Sequence, residues 1–265
     1  MTSKPNINYT LKHDLCTGCG ICEGVCPNEA ITTIIKNGRF LPSIDNSLCK
    51  NSKGCYRCYG ACPGVGVHLI TLAKEYFTDE GIKEDNICGR YLKCYTGFSS
   101  NYDIRYHSAS GGVVTQFLIW LLENKKIDGA VVTKFDKDSL LKVKSVIATT
   151  MEDILAAKSS KYAPVSLHDA LKKLKKAPDG RYVVVGLPCH IEGMRKLMGI
   201  DRKLRKKVVG LFGIYCSGSR TFYMTEYLMK SRNIDIDKLN FLAYRDNGCL
   251  GGMVAKGLFW PVGLH

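Results

Sequence analysis

Long apolar runs are missing from this chain. The longest candidate, Val113 to Leu122, carries Thr115 and Gln116 and stops at Glu123, short of the roughly 18 to 20 uninterrupted apolar residues a membrane helix needs. It reads as a buried helix, and no membrane span is expected. Met1 to Asp14 has no apolar core of the leader-peptide type, which makes a cytoplasmic location the expectation. Proline is scarce, and the eight prolines and 26 glycines in 265 residues are too few to suggest disorder. The length suits one large domain, or a small one joined to a medium one. Acidic residues are the minority charge: 24 Asp and Glu against 38 Lys and Arg, a formal net charge of +14. Such an excess raises the question of a nucleic-acid partner. The lysine-rich runs Leu171–Lys176 and Arg202–Lys207 lack the interleaved aromatics of a single-strand stacking platform. They flank helices and strands and read as solvated faces, so no nucleic acid is expected.

Cysteine is what the chain has in excess. There are thirteen, and eight of them fall within residues 16–62. An odd count in a chain without an export signal argues against a disulfide framework. Cys16-Thr-Gly-Cys19-Gly-Ile-Cys22-Glu-Gly-Val-Cys26-Pro27 is echoed by Cys55-Tyr-Arg-Cys58-Tyr-Gly-Ala-Cys62-Pro63. The first run is C-x2-C-x2-C-x3-C-P, the bacterial two-cluster ferredoxin pattern. Three thiolates on a tight loop cap three corners of one cubane, while the fourth points away to the other. On that logic Cys16, Cys19, Cys22 and Cys62 hold one [4Fe–4S] cluster, and Cys49, Cys55, Cys58 and Cys26 hold the second. The proline after each fourth cysteine turns the chain away and removes an N–H that would need a partner. Gly18, Gly20 and Gly60 let backbone amides approach the sulfides.

The second half departs from the ideal. Five residues, Lys50–Gly54, separate Cys49 from Cys55 where two are usual. The Asn-Ser-Lys-Gly stretch is turn-like and can bulge without moving the thiolates. Zinc sites place C-x2-4-C pairs a dozen or more residues apart, and four cysteines within eleven residues fit that poorly. Two clusters, each netting about −2 with its thiolates, bring the charge to roughly +10.

Residues 1–72 therefore form a ferredoxin-like domain, each half ending in a β-like stretch, Ala30–Ile35 and Val67–Leu72. Residues 73–97 are mixed and polar and read as a linker. From 98 to 265 helices alternate with strands. Helices are expected over Gly112–Asn124, Met151–Lys158, Ser166–Lys176, from Pro188 to Leu197 and over Thr221–Ser231. Strands are expected over Gly129–Thr133, Val143–Ala148, Arg181–Gly186 and Lys207–Tyr215. Val-rich, non-alternating strands spaced by helices indicate an α/β layer with a mostly parallel sheet. The fold class is an iron–sulfur α+β unit followed by an α/β domain.

Cys189 and Cys216 each follow such a strand, at the carboxyl end where open α/β sheets gather ligands. The alternative is a pair of buried thiols acting as small hydrophobes. Ser108-Ala-Ser-Gly-Gly-Val-Val-Thr115, Lys161-Tyr-Ala-Pro-Val165, Gly186-Leu-Pro-Cys-His190 with Gly193-Met-Arg195, and Gly213-Ile-Tyr-Cys216 occur in this order. Together they resemble the family of β subunits of coenzyme F420-reducing hydrogenases and F420-dependent dehydrogenases, over residues 10–252. A ferredoxin-like N-terminal extension is a common variant in that family.

The resemblance implies hydride transfer between the deazaflavin coenzyme F420, as substrate, and a bound FAD. Single electrons then pass through iron–sulfur clusters to a partner redox subunit: a hydrogenase, a formate dehydrogenase or a reductase. Ser110, Gly111 and Gly112 precede a helix, a place for flavin phosphate or else a plain helix cap with close-packing glycines. Lys161 and Tyr162 are candidates to contact phosphate or the isoalloxazine. His190 reads as a helix-start residue with no proton-transfer role. The resemblance also implies a third cluster on Cys189, Cys216 and a later C-x2-C pair. That pair is missing, since no cysteine follows Cys249. Ala255–His265 does not obviously continue the family pattern, so a shortened chain is expected, with the third cluster lost or completed by Cys249. Two alternatives keep part of this reading: a ferredoxin-dependent reductase of the hydroxymethyl-chlorophyll reductase type, and an electron-carrier or docking subunit without flavin.

Overall fold

A computed structural model describes residues 5–136, 138–249 and 251–257, and the backbone of 261–264. The cysteine-rich segment opens with α1 (Asn8–Lys12), the cysteine loop and α2 (Ile21–Val25). The hairpin β1 (Ile31–Lys36) and β2 (Arg39–Ile44) follows. Its register, Lys36 opposite Arg39, leaves Asn37 and Gly38 as a two-residue turn, both at positive φ. The one-turn helix α3 (Arg57–Gly60) carries Cys58.

The second β-like stretch is not a strand. Val67–Leu72 runs instead into the helix α4 (Leu69–Tyr76). The first stretch has Arg39–Ile44 to pair with, whereas Leu69 onward continues into Ala, Lys and Glu, good helix formers. The expected linker likewise holds the end of α4 and a small hairpin, β3 (Lys83–Asp85) and β4 (Gly89–Tyr91).

The second half contains α5 (Tyr102–Tyr106), α6 (Val113–Glu123), β5 (Gly129–Phe135), β6 (Val143–Ala148) and α7 (Met151–Ala156). Next come α8 (His168–Lys176), β7 (Tyr182–Gly186), α9 (Pro188–Ile200), α10 (Arg202–Lys207) and β8 (Val208–Gly213). The sheet order is β6-β5-β7-β8. It is mixed: β5–β7 and β7–β8 are parallel, so three of the four strands run one way, while β5–β6 is antiparallel. The link between β5 and β6 is too short for the helical crossover a parallel pair demands. Helix α11 (Phe222–Lys230) then leads to an antiparallel sheet, β9 (Leu239–Ala243), β10 (Met253–Gly257) and β11 (Pro261–Leu264). Of the closing segment Ala255–His265, residues 258–260 and His265 lie outside the described residues.

Alternate residues of the central strands feed opposite cores, as a pleat of period two requires. Ala130, Val132 and Val183 join Leu118, Ile119 and Ile154 on one face. Val131 and Val184 join Leu171, Leu174, Met194 and Leu197 on the other, in a cluster that also contains Ile7, Ile21, Cys22, Val25 and Cys62. The cysteine-rich segment thus shares one hydrophobic core with the sheet. Among the described residues no helix is long and apolar enough to cross a membrane.

Candidate iron–sulfur and flavin site

The eight clustered cysteines divide four and four. One cavity is lined by Cys16, Cys19, Cys22 and Cys62, with Thr17, Ile21 and Phe40 among its walls. A second is lined by Cys26, Cys49, Cys55 and Cys58, with Asn6, Lys50 and Arg57. Cys26 and Cys62, the fourth cysteine of each run, each cross to the other run's cavity. Cys49 stands with its three partners despite the five-residue spacer. Among the described residues no three His, Cys, Asp or Glu close on a single-ion site. The thiols stand around the cavity walls in sets of four, the donor type and number that an iron–sulfur core takes.

Backbone donors already aim at the sulfurs. Ala30 donates its N–H to Cys26 Sγ at 3.3 Å. The amides of Ile7 and Tyr59 serve Cys58, and those of Gly64 and Val65 serve Cys62. Burial pushes the Cys19 thiol up to about 12 and Cys22 well above its usual value. Apolar walls of this kind penalise a thiolate without a cation to neutralise it.

The first cavity abuts the α/β half. Thr17 lies beside both Cys19 and Cys189, and Cys189 packs against the core cluster that holds Cys19, Cys22 and Cys62. Cys189 sits in the first turn of α9, where β7 ends. Beside it His190 is fully buried, with Nδ1 accepting from the Leu187 amide at 3.1 Å and Nε2 at 3.2 Å from the Val165 carbonyl. Burial lowers its pKa to about 4. His190 is therefore a neutral clip between two motif segments. Its sequence neighbours hint at a helix start; the bond to Val165 is visible only in the fold. Thr17 carries no sequence signal beyond being a spacer residue.

Ser110 is exposed, and Gly112 caps α6 at φ +72 with no side-chain cap bond. A Cβ at Gly111 would come within 2.9 Å of the Gly97 carbonyl oxygen. Close packing thus accounts for Gly111, while the uncapped amides of the helix start stay available to an anion. The ammonium of Lys161 donates to the carbonyls of Ala157, Lys158 and Ser159 at 2.5, 2.7 and 3.0 Å. Burial lowers its pKa to about 7, and three carbonyl acceptors oppose that loss of the proton. Tyr162 is half-exposed and meets Tyr244 edge-on at 5.6 Å. The 244–249 loop bridges these pieces. His107 Nδ1 lies 2.7 Å from Asp246 Oδ1, Ser159 bonds the Arg245 carbonyl, and the Gly248 amide bonds Tyr106.

Fold and cysteine geometry define an iron–sulfur protein whose ferredoxin-type module is built onto a mixed α/β sheet. Comparison with known proteins refines this. The family model for the N-terminal part of the coenzyme F420 hydrogenase/dehydrogenase beta subunit matches residues 94–172, and the one for its C terminus matches 179–257. A 4Fe-4S binding domain model matches residues 9–32. A coenzyme F420-dependent sulfite reductase of Methanocaldococcus jannaschii is 31% identical over 88% of this chain and 35% of its own length. A subunit of the F(420)H(2) dehydrogenase of Methanosarcina mazei is 27% identical over 97% of this chain and 66% of its own. The chain thus spans about a third of the first relative and about two thirds of the second. A chain of the F420-reducing [NiFe] hydrogenase complex from Methanosarcina barkeri shares the fold, with TM-score 0.50 and 22% identity over 66% of this chain and 60% of that one. The chain belongs to the family of coenzyme F420 hydrogenase/dehydrogenase beta subunits.

Proposed function

We propose that this chain is an iron–sulfur flavoprotein oxidoreductase module exchanging electrons between coenzyme F420 and a partner redox subunit. The observation that carries the reading is the four-and-four division of eight cysteines between two cavities, the first adjoining Cys189 at the end of β7. Cys16, Cys19, Cys22 and Cys62 would hold one [4Fe–4S] cluster, and Cys26, Cys49, Cys55 and Cys58 the other. Amides of Ile7, Ala30, Tyr59 and Gly64 would share the negative charge of the bound thiolates. An FAD would supply the conversion between a hydride's two electrons and single-electron steps. The start of α6 at Ser110–Gly112 would receive its phosphate, and Tyr162 would flank it. Lys161 would act from behind, holding the 157–159 carbonyls and so the loop that presents Tyr162. Cys189 and Cys216 would stand between flavin and first cluster, with Thr17 fixing the Cys189–Cys19 approach. The partner is a hydrogenase, formate dehydrogenase or reductase subunit.

An anaerobic visible and EPR titration with reduced coenzyme F420, with iron and flavin counted on the same sample, tests this. The expected result is about eight irons per chain and flavin bleaching within seconds. Flavin that does not bleach would exclude the deazaflavin donor, and protein purified without flavin absorbance would overturn the flavoprotein assignment.

A further inference from the structure

The spacer Lys50–Gly54 is the one departure from the regular cysteine spacing of the first run. Asn51–Lys53 form a single 3-10 turn closed by Gly54 at φ +84. Asn51 Nδ2 donates to the Cys55 carbonyl at 2.9 Å, pinning the base of the turn. Lys50 lines the second cavity and is exposed, and Lys53 stands exposed beside it. Lys50 and Lys53 are the exposed cations of residues 46–62, while Arg57 turns its guanidinium onto the Ile200 carbonyl and the nearest carboxylate, Asp45, is engaged by Ser47. Leu48 and Tyr56 are 46% and 43% exposed in the same stretch. Cations around exposed apolar side chains make a surface suited to an acidic protein partner.

The cavities also differ in depth. Cys19, Cys22 and Cys62 of the first are buried, whereas only Cys58 of the second is. The deep cavity is the one against Cys189, which leaves the shallow one as the outer end of the pair.

We propose that Lys50–Gly54 is a docking lip for an acidic one-electron carrier protein, and that electrons leave the chain through the Cys26, Cys49, Cys55, Cys58 cavity. The proposal rests on the two-cluster reading above. In each encounter one electron passes from the reduced second cluster to the oxidised carrier, and no bond forms or breaks. The two electrons of a hydride therefore take two encounters.

The full chain, reconstituted anaerobically and counted for iron, is reduced with dithionite, desalted and mixed by stopped flow with an oxidised acidic ferredoxin. At about 20 mM salt, Lys50→Glu/Lys53→Glu is expected to slow transfer on the order of tenfold or more. The difference should shrink toward about 1 M salt, where the screening length falls to a few ångströms. Lys203→Glu/Lys206→Glu makes the same charge change on the exposed face of α10 and should slow transfer far less than the spacer variant does. Iron content and EPR spectra accompany every variant. Where the double variant loses iron, Lys53→Glu alone decides, because Lys53 lines neither cavity. Full iron with an unchanged Lys53→Glu rate, or an equal drop in the α10 variant, overturns the lip and leaves the clusters standing. Binding of bulk duplex DNA that Lys53→Glu abolishes also overturns it. About four irons in place of eight sinks the two-cluster reading itself.

Discussion

Single atoms decide how closely the cysteine loop lies on the sheet's covering helices. Gly20 has φ +77, and a Cβ there would stand 2.1 Å from Ser166 Oγ and 2.8 Å from the His168 amide. Gly20→Ala is expected to cost about 1–3 kcal/mol from overpacking alone, with about 1–2 kcal/mol of left-handed strain added. Gly54→Ala, also at positive φ but with nothing within 4 Å, should show only the strain. Urea midpoints of the two variants separate the effects. Tyr244 supplies a second test. Its hydroxyl is 2.5 Å from Thr225 Oγ1, and burial holds its pKa above the ordinary 10. Tyr244→Phe orphans the buried Thr225 hydroxyl and should cost about 1–3 kcal/mol. Above pH 10 the unfolded tyrosine loses its proton while the folded one keeps it. The unfolded state then binds fewer protons, so native stability falls as pH rises. Thermal melts above pH 10 should show the variant losing less than the parent.

At the scale of elements, the contact between α2 and α8 joins the two halves of the chain. Leu171 is fully buried and meets Gly24, and the buried Glu23 pairs with Lys172 and accepts from the Thr33 amide at 2.6 Å. Burial disfavours the Glu23 charge, but the bonds from Lys172 and Thr33 outweigh it and leave the pKa lowered. Leu171→Ala is expected to cost about 2–5 kcal/mol, whereas Lys173→Ala on the exposed face should stay within about 0.5 kcal/mol. Denaturant titrations that also follow iron release should find iron lost at lower urea in Leu171→Ala. Periodicity made α8 readable, because Leu171 and Leu174 recur among lysines. Helix α4 was not readable: a short apolar-leaning stretch after a cysteine motif resembles a strand until the absence of a pairing partner is known.

At the scale of the molecule, a core that runs from Ile7 and Ile21 through Met194 to Val184 makes the cysteine segment part of the sheet's packing. Iron removal by a chelator is therefore expected to lower the protection of the β7 amides, Tyr182–Gly186, as well as that of the cysteine loop. Metal binding to the native state alone stabilises whatever folds with it. Hydrogen exchange with and without iron measures this, and a cysteine segment that melts alone while β7 stays protected contradicts it.

What the sequence by itself determined is local. The cysteine spacing sets which thiols share a loop, and the Val-rich runs and capping residues set most helices and strands of the second half, because both signals are written in neighbouring residues. Tertiary structure alone decided the rest. The strand order β6-β5-β7-β8 depends on which edges of β5 and β7 are taken, and the bond from His190 to the Val165 carbonyl joins segments 25 residues apart. The approach of Thr17 and Cys189, from opposite halves of the chain, exists only because α2 packs on α8 and α9. The eight cysteines of residues 16–62 were legible as two foursomes. That one foursome lies deep against the sheet and the other shallow behind a basic lip is a property of the fold.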